Sequence, residues 1–291
     1  MKQTAFKDII LFVGPSVACL VLCLILPLAC LVAISFTNLE LGAPLQYLKI
    51  TGFDNYQTLL SSEATWQSCI VTLLFIICAV SIETVLGLGL ALALAQRFRG
   101  DSVIKTCLIL PMMLAPIVVG LIWRYLFDTR FGIINVILAA IKIPQPLWLA
   151  DQFWAFIAIL ITDIWQWTPF MFLILLAGLQ RIPNHIIEAA KLDGASSWQL
   201  NLMIKIPYIK PILLFAILLR SIDAFKVLEV IFIMTFGGPG RATEVLSLHL
   251  YKIAFIGQHF GKAAALSIVF LLLTMVVSMI FFKVKKRVKL S

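Results

Sequence analysis

The stretch PNHIIEAAKLDGASSWQLNLMIKIP, residues 183–207, is a polar and charged island in a sequence that is otherwise almost continuously apolar. Its residues predict two short helices joined by a turn. Asn184 can cap the first helix, and Gly194 can supply the left-handed conformation that ends it.

The second helix of this stretch can be capped by Ser196 or Ser197. Pro207 should close it, because proline cannot continue the helical hydrogen-bond ladder. The stretch therefore predicts a compact hairpin with charged and small residues facing outward. In a membrane protein, such a hairpin has the shape of a docking element.

The rest of the chain has the composition of a membrane protein. Of its 291 residues, 62% are hydrophobic and 13% are charged, and its mean hydropathy is +1.05. A soluble domain cannot bury that much apolar surface, and a bilayer core of about 30 Å needs roughly 20 apolar residues per helix. Six runs meet this requirement, at about 9–35, 68–95, 103–126, 153–177, 211–235 and 261–282.

Lysine and arginine predict the orientation of these spans. If the N-terminus is cytoplasmic, fourteen of these cations lie on the inner side and seven on the outer side. The positive-inside rule then places both termini and the 183–207 hairpin in the cytoplasm. The net charge of +9 is explained by this asymmetry, so no nucleic-acid partner is needed.

The hairpin also carries a motif with fixed spacing. Glu188-Ala189-Ala190 is followed after three residues by Gly194, and after nine more by Ile204-Lys205-Ile206-Pro207. This pattern resembles the EAA motif of ABC importer permeases, in which Leu stands where this chain has Ile206. Asp193, directly before the glycine, also resembles the pattern of the sugar-importer branch of this family.

Three outer segments extend the resemblance over most of the chain. Residues 52–56 resemble a G-x-x-N-Y segment, residues 127–135 an F-D-x-x-x-G-x-x-N segment, and residues 235–244 the T-x-G-G-P…T-E turn. That turn is typical of one of the two permease types in importers similar to those for maltose and glycerol-3-phosphate.

The resemblance implies an all-α, polytopic membrane protein of six transmembrane helices with the type I permease fold, residues 1–291 forming one transmembrane domain. It implies a bacterial or archaeal cytoplasmic-membrane location, and as partners a second, non-identical permease, two ATPase subunits carrying ATP-Mg and an extracytoplasmic solute-binding protein. The residues that it implies for ATPase docking are Glu188, Ala189, Ala190, Asp193, Gly194, Ile204 and Pro207.

Ionisable and aromatic residues inside the spans are candidates for a substrate path. Asp163, Trp167 and Phe170 fall on one face of the fourth span with Gln166 beside them, and a carboxylate, an amide and aromatic faces suit a sugar. Packing against another helix is the alternative for the two aromatic rings.

Charged residues in the second and fifth spans join this set. Glu83 lies near the middle of the second span, where a carboxylate is costly and faces a protein interior or a cavity. Arg220, Asp223, Lys226 and Glu229 alternate in sign along the fifth span, so they can pair with one another or contact substrate.

Other functional classes find less support. The sequence has no phosphate-binding G-x-x-x-x-G-K-[ST] loop, no metal-ligand spacing and no nucleophile motif, so a non-catalytic subunit without a cofactor or metal of its own is expected. An ion-coupled secondary transporter is the main alternative, with Glu83, Asp163 or the charged residues of the fifth span binding H⁺ or Na⁺. A purely structural membrane scaffold is a third.

Overall fold

The computed structural model describes residues 12–95 and 99–288, and within them the chain is built from helices and connecting segments, which confirms the predicted all-α class. The helices are α1 (Phe12–Ser35), α2 (Asp54–Ser61), α3 (Glu63–Ala93), α4 (Asp101–Met113), α5 (Pro116–Leu126), α6 (Ile133–Ala140), α7 (Gln152–Leu179), α8 (Asn184–Leu192), α9 (Ser197–Phe225), α10 (Glu229–Met234), α11 (Leu246–Ile256) and α12 (Phe260–Val288).

Five of the described helices, α1, α3, α7, α9 and α12, are long and apolar enough to cross a membrane. Counted as one span, the bent pair α4 and α5 gives a sixth. The six predicted runs correspond to these spans, although residues 9–11 of the first run lie outside the described residues.

The third span is broken, as its two prolines predict. Pro111 lies inside α4 and Pro116 in the first turn of α5, and the two helices meet at an angle of 96°. The backbone is extended at Leu114 and Ala115, because the residue before a proline disfavours the helical conformation.

The fifth span differs from its predicted bounds at both ends. The predicted run, 211–235, is interrupted, because α9 ends at Phe225 and α10 begins at Glu229. The hydroxyl of Ser247 donates to the carbonyl of Val227 and so satisfies a backbone group at this break. Lys226 and Glu229 therefore do not continue the helical series of Arg220 and Asp223.

The hairpin also departs from the prediction. Pro207 does not end a second helix, since α9 runs from Ser197 through it to Phe225 and widens to a π-helical turn at Leu200–Lys205. Pro207 is the second residue of the α-helical segment Ile206–Phe225, directly after the π-helical turn. Asn184 is the first residue of α8 and does not cap it.

The described residues group into two compact units. One comprises the residues up to 65 with 249–273, and the other comprises 66–248 with the residues from 274 onward. In the first unit, buried Asn55 donates from its side-chain amide to the carbonyls of Ser35 and Thr37, at 2.9 and 2.8 Å, and so joins α2 to the end of α1.

The second unit holds every site residue predicted above. One end of this unit packs Ala91 of α3 and Leu94, which follows that helix, against Phe172, Leu175 and neighbouring residues of α7 and α9. Gly87 permits the close approach, because a Cβ there would lie 2.6 Å from the Cβ of Met171. Gly87 and Ala91 are small residues four positions apart on α3, a spacing that lets another helix approach closely.

Candidate functional site

Arg220 of α9 is the centre of a buried ion cluster. Its Nε and Nη2 atoms donate to the two carboxylate oxygens of Glu83 on α3, at 2.7 and 3.0 Å. Nη2 also donates to Oδ2 of Asp163 on α7, and Nη1 donates to Asp223 at 3.1 Å. One arginine therefore joins three membrane-spanning helices.

Because this cluster is buried, its charges are costly unless they are paired. The side chains of Arg220, Glu83 and Asp163 are at most 1% exposed, whereas that of Asp223 is 46% exposed. Withdrawing charges from water costs several kcal/mol per ion, which only close, charge-assisted hydrogen bonds can offset. The arginine and its acids must therefore be present together.

The predicted pairing inside the fifth span is only partly right. Arg220 does pair with Asp223 three residues on, but its two buried partners come from other helices. Lys226 and Glu229 make no ion pair with any residue that the structure describes. The break after Phe225 takes both out of the helical geometry that would have paired them.

A cavity of about 300 Å³ opens beside the cluster and gathers most of the predicted substrate-path residues. It contains side chains from α5, α7, α9 and α10 and from the break between the last two. The lining residues are Pro116, Asp163, Trp167, Arg220, Asp223, Lys226, Val227, Glu229 and Val230. The broken third span contributes to it through Pro116.

Three predicted residues do not line this cavity. Glu83 lies behind Arg220, and the ring of Phe170 packs edge-on against Trp167 at a centroid distance of 6.3 Å. Buried Gln166 donates to the carbonyl of Leu114, at 3.1 Å, and so satisfies a backbone group at the break in the third span. These three residues support the cavity rather than face it.

Asp163 and Trp167 both line the cavity, but each already has a partner. Oδ2 of Asp163 is occupied by Arg220, whereas buried Oδ1 has no hydrogen-bond partner among the described residues. The guanidinium of Arg220 lies over the ring of Trp167, 5.2 Å from its centroid. Asp163 therefore has one unsatisfied acceptor oxygen that is enclosed by the protein, and one face of Trp167 is taken by a cation.

The hairpin presents most of its motif residues to solvent. Glu188, Ala189, Asp193, Gly194 and Pro207 are exposed, and Ala190 and Ile204 are half-buried. Glu188 makes no ion pair with any described residue. Its carboxylate accepts hydrogen bonds only, so it is available to a donor on another molecule.

The turn of the hairpin is rigidly defined. Gly194 has φ +81°, the left-handed conformation predicted for it. Ser196 caps α9: its hydroxyl accepts from the N–H of Gln199, whose side chain accepts in return from the N–H of Ser196. This reciprocal pair fixes the angle at which the chain enters α9.

A cavity of about 1080 Å³ lies beside the hairpin, next to the C-terminal ends of α3 and α7. Glu188, Lys191 and Lys205 are among its lining residues. Leu192 and Trp198, at the tip of the hairpin, are 89% and 70% exposed, so this surface is apolar as well as charged.

The motif segments that the sequence predicts to lie outside the membrane form hydrogen bonds within the protein. Asn135 accepts from the indole N–H of Trp148 at 2.8 Å, and the hydroxyls of Thr235 and Thr243 lie 2.7 Å apart across the glycine-rich turn. Asp128 accepts from the N–H groups of Phe131 and Arg130, which lower the pKa of its carboxyl below the usual value. Motif spacing identified these residues, but not their partners.

Comparisons with known proteins agree with this architecture. The trehalose/maltose transport system permease protein MalF of Thermococcus litoralis is 38% identical over 80% of this chain and 79% of its own. The sulfoquinovosyl glycerol transport system permease protein SmoG of Agrobacterium fabrum is 31% identical over 94% of this chain and 89% of its own.

A solved structure shares the fold. A chain of a bacterial alginate ABC transporter, crystallised with an alginate pentasaccharide-bound periplasmic protein, superimposes with a TM-score of 0.86 at 21% identity, covering 99% of this chain and 98% of that one. Residues 84–290 match the family described as the inner membrane component of binding-protein-dependent transport systems. The chain belongs to this family of ABC transporter permeases.

Proposed function

We propose that this chain is the permease subunit of an ATP-driven importer for a sugar or polyol. It forms part of the translocation path and couples to separate ATPase subunits through the 183–207 hairpin. The observation that carries the proposal is the cavity beside Arg220, in which polar and aromatic side chains from three helices, α7, α9 and α10, converge inside the membrane-spanning unit.

The partners follow from the same proposal. Two cytoplasmic ATPase subunits bind and hydrolyse ATP-Mg, and an extracytoplasmic solute-binding protein delivers the substrate. A second, non-identical permease completes the path. The free carboxylate of Glu188 supports the docking of an ATPase subunit, because a cationic or backbone N–H donor would complete its hydrogen bonding.

The substrate class rests on the relatives and on the cavity. The names of MalF and SmoG refer to sugars or sugar derivatives. The exposed carboxylate of Glu229, which lines the cavity, can accept a bond from a hydroxyl, and the half-buried Trp167 offers an aromatic surface to the C–H groups of a sugar ring. Each such hydrogen bond contributes about 0.5–1.5 kcal/mol net.

An ion-coupled secondary transporter is disfavoured by family membership. It is also disfavoured by the bonding of Glu83, one of the predicted ion ligands, because both of its carboxylate oxygens accept hydrogen bonds from Arg220. Uptake measured in membrane vesicles that contain the assembled complex separates the two mechanisms. ATP-dependent uptake that persists with a protonophore supports the importer, whereas uptake that follows the ion gradient without ATP contradicts it.

The cavity is tested by Trp167→Ala in the same vesicles. This substitution should lower uptake up to about tenfold while the complex stays assembled, because it removes surface that a solute would contact. Trp165→Ala is the matched control, since Trp165 lies on the same helix and packs against Trp123 instead of lining this cavity. Equal uptake by both variants would return Trp167 to a packing role.

A further inference from the structure

The charged residues around the cavity beside Arg220 restrict what can pass it. This inference rests on the importer function proposed above and concerns the charge of the solute. The cavity is lined by the cations Arg220 and Lys226 and by the acids Asp163, Asp223 and Glu229, with Glu83 directly behind Arg220.

Arg220 is not available to an anionic solute. Its Nε, Nη1 and Nη2 atoms all donate to protein carboxylates, and its guanidinium lies against the ring of Trp167. The two-pronged donation that makes arginine an effective binder of carboxylate, sulfonate or phosphate groups is already used within the protein. Of the two lining cations, only Lys226 remains without an ion pair to a described residue.

The acids outnumber the cations. The lining carries three carboxyl groups and two cationic groups, a formal excess of one negative charge, and Glu83 behind Arg220 raises the excess of cluster and lining together to two. A net negative lining in low-dielectric surroundings favours cationic and neutral solutes and repels anions.

Two charged residues that line the cavity have no ion pair within the described residues, and their formal charges cancel. One is the cation Lys226, which is exposed. Glu229 is exposed and likewise lacks an ion pair within the described part of the chain. Such carboxylate oxygens accept hydrogen bonds from hydroxyl donors, which a neutral polyol supplies in abundance.

We propose that the solute carried past this cavity is an uncharged sugar or polyol, and that Asp163, Asp223 and Glu229 exclude uronates, sulfonates and phosphorylated sugars. Val227→Cys provides a direct test in the assembled complex. Val227 lines the cavity and is half-buried, and none of the six native cysteines does so. The unsubstituted complex measures the background from those cysteines.

The probes are two thiol reagents of similar size, a methanethiosulfonate with a trimethylammonium group and one with a sulfonate group. Ile50→Cys, at a site 86% exposed and outside the cavity, supplies the reference ratio of cationic to anionic reaction rates. We expect the ratio at position 227 to exceed that reference at least tenfold. Adding Glu229→Gln, alone or together with Asp223→Asn, should lower the ratio at position 227 toward the reference.

The possible outcomes separate the two proposals. A ratio at position 227 equal to or below the reference, with the thiol reactive, overturns the exclusion of anions and leaves the importer function standing. A thiol that reacts with neither reagent shows that the cavity is closed to aqueous solutes, which overturns the substrate path and this inference with it. A high ratio that the added substitutions leave unchanged also overturns the assignment to these acids.

Discussion

Arg220 shows how a single residue can make three distant segments depend on one another. Glu83 and Asp163 lie 137 and 57 positions from it in the sequence, yet both are buried against its guanidinium. Neither acid nor arginine is tolerable alone in the membrane interior, so the cluster constrains the relative placement of α3, α7 and α9.

The first prediction concerns the stability of this cluster. Arg220→Met should destabilise the protein by about 3–5 kcal/mol, because it leaves two buried acids without their counter-charge. Denaturant unfolding of the purified protein in detergent micelles measures the change. The double variant Arg220→Met with Glu83→Met should lose at least about 1 kcal/mol less than the sum of the two single variants, since buried ion pairs are coupled.

Lys105→Met is the control for this experiment. Lys105 pairs with Asp101 four residues before it, at 2.6 Å, but both side chains are about one-fifth exposed and the pair lies on one helix. We expect a loss below about 1 kcal/mol, the usual range for accessible pairs. A comparable loss in Lys105→Met and Arg220→Met would contradict the structural role of the arginine.

The sequence predicted that Glu83, Asp163 and Arg220 matter, because ionisable residues inside spans are rarely without purpose. It could not predict that they bind one another, since side-chain pairing across helices depends on the packed arrangement. The pairing of Arg220 with Asp223 was predictable, because three-residue spacing brings side chains together on one helix.

Some breaks and turns between helices follow from local sequence, whereas others depend on contacts with distant residues. The break in the third span follows from Pro111 and Pro116, and the turn of the hairpin follows from Gly194; both could be predicted from local sequence. The break after Phe225 could not be predicted from local sequence. The carbonyl of Val227, at this break, accepts a hydrogen bond from the hydroxyl of Ser247, twenty residues away. The continuation of α9 through Pro207 depends on the π-helical turn before it.

Close packing of α3 on α7 gives a prediction at this scale. Gly87→Ala should destabilise the protein by about 1–3 kcal/mol, since the added Cβ would lie 2.6 Å from Met171 Cβ and 2.9 Å from the backbone nitrogen of Phe172. Gly89→Ala is a matched control on the same helix, because nothing lies within 4 Å of its added Cβ. Equal unfolding curves for the two variants would show that Gly87 is not a packing constraint.

The turn of the hairpin at Gly194 gives a second prediction at this scale. A Cβ at Gly194 meets no atom within 4 Å, so any effect of substitution there comes from the backbone alone. Gly194→Val should strain the turn by about 1–2 kcal/mol, because the left-handed conformation disfavours a branched side chain. Gly194→Asn should be milder, since asparagine visits this conformation more readily. Protection of hairpin amides in hydrogen exchange distinguishes the two, and equal protection would contradict the strain.

For the whole molecule, the expected topology places the hairpin and both termini in the cytoplasm. Single cysteines at Leu192 and Ile50, which are 89% and 86% exposed, report on the two sides. An impermeant thiol reagent applied to intact cells should label position 50, and should reach position 192 only after the membrane is opened. Labelling of position 192 in intact cells would rule out docking of a cytoplasmic ATPase on this hairpin.

At this scale the family could be predicted from sequence because the spacing from Glu188 to Pro207 is a local pattern with several fixed identities. The charge of the substrate could not, because it depends on which cations the protein uses internally. The sequence allowed Arg220 either to pair with neighbouring acids or to contact substrate, and its three carboxylate partners are seen only in the folded chain.

We propose that the hairpin transmits the conformational change driven by ATP hydrolysis to the membrane helices. The most direct test measures ATP hydrolysis by the assembled complex carrying Glu188→Ala. The complex should lose stimulation by the solute-loaded binding protein, together with uptake, because the exposed carboxylate no longer holds its donor on the ATPase subunit. Lys191→Ala, an exposed neighbour on the same helix, should keep both. Full stimulation and full uptake in Glu188→Ala would contradict the account.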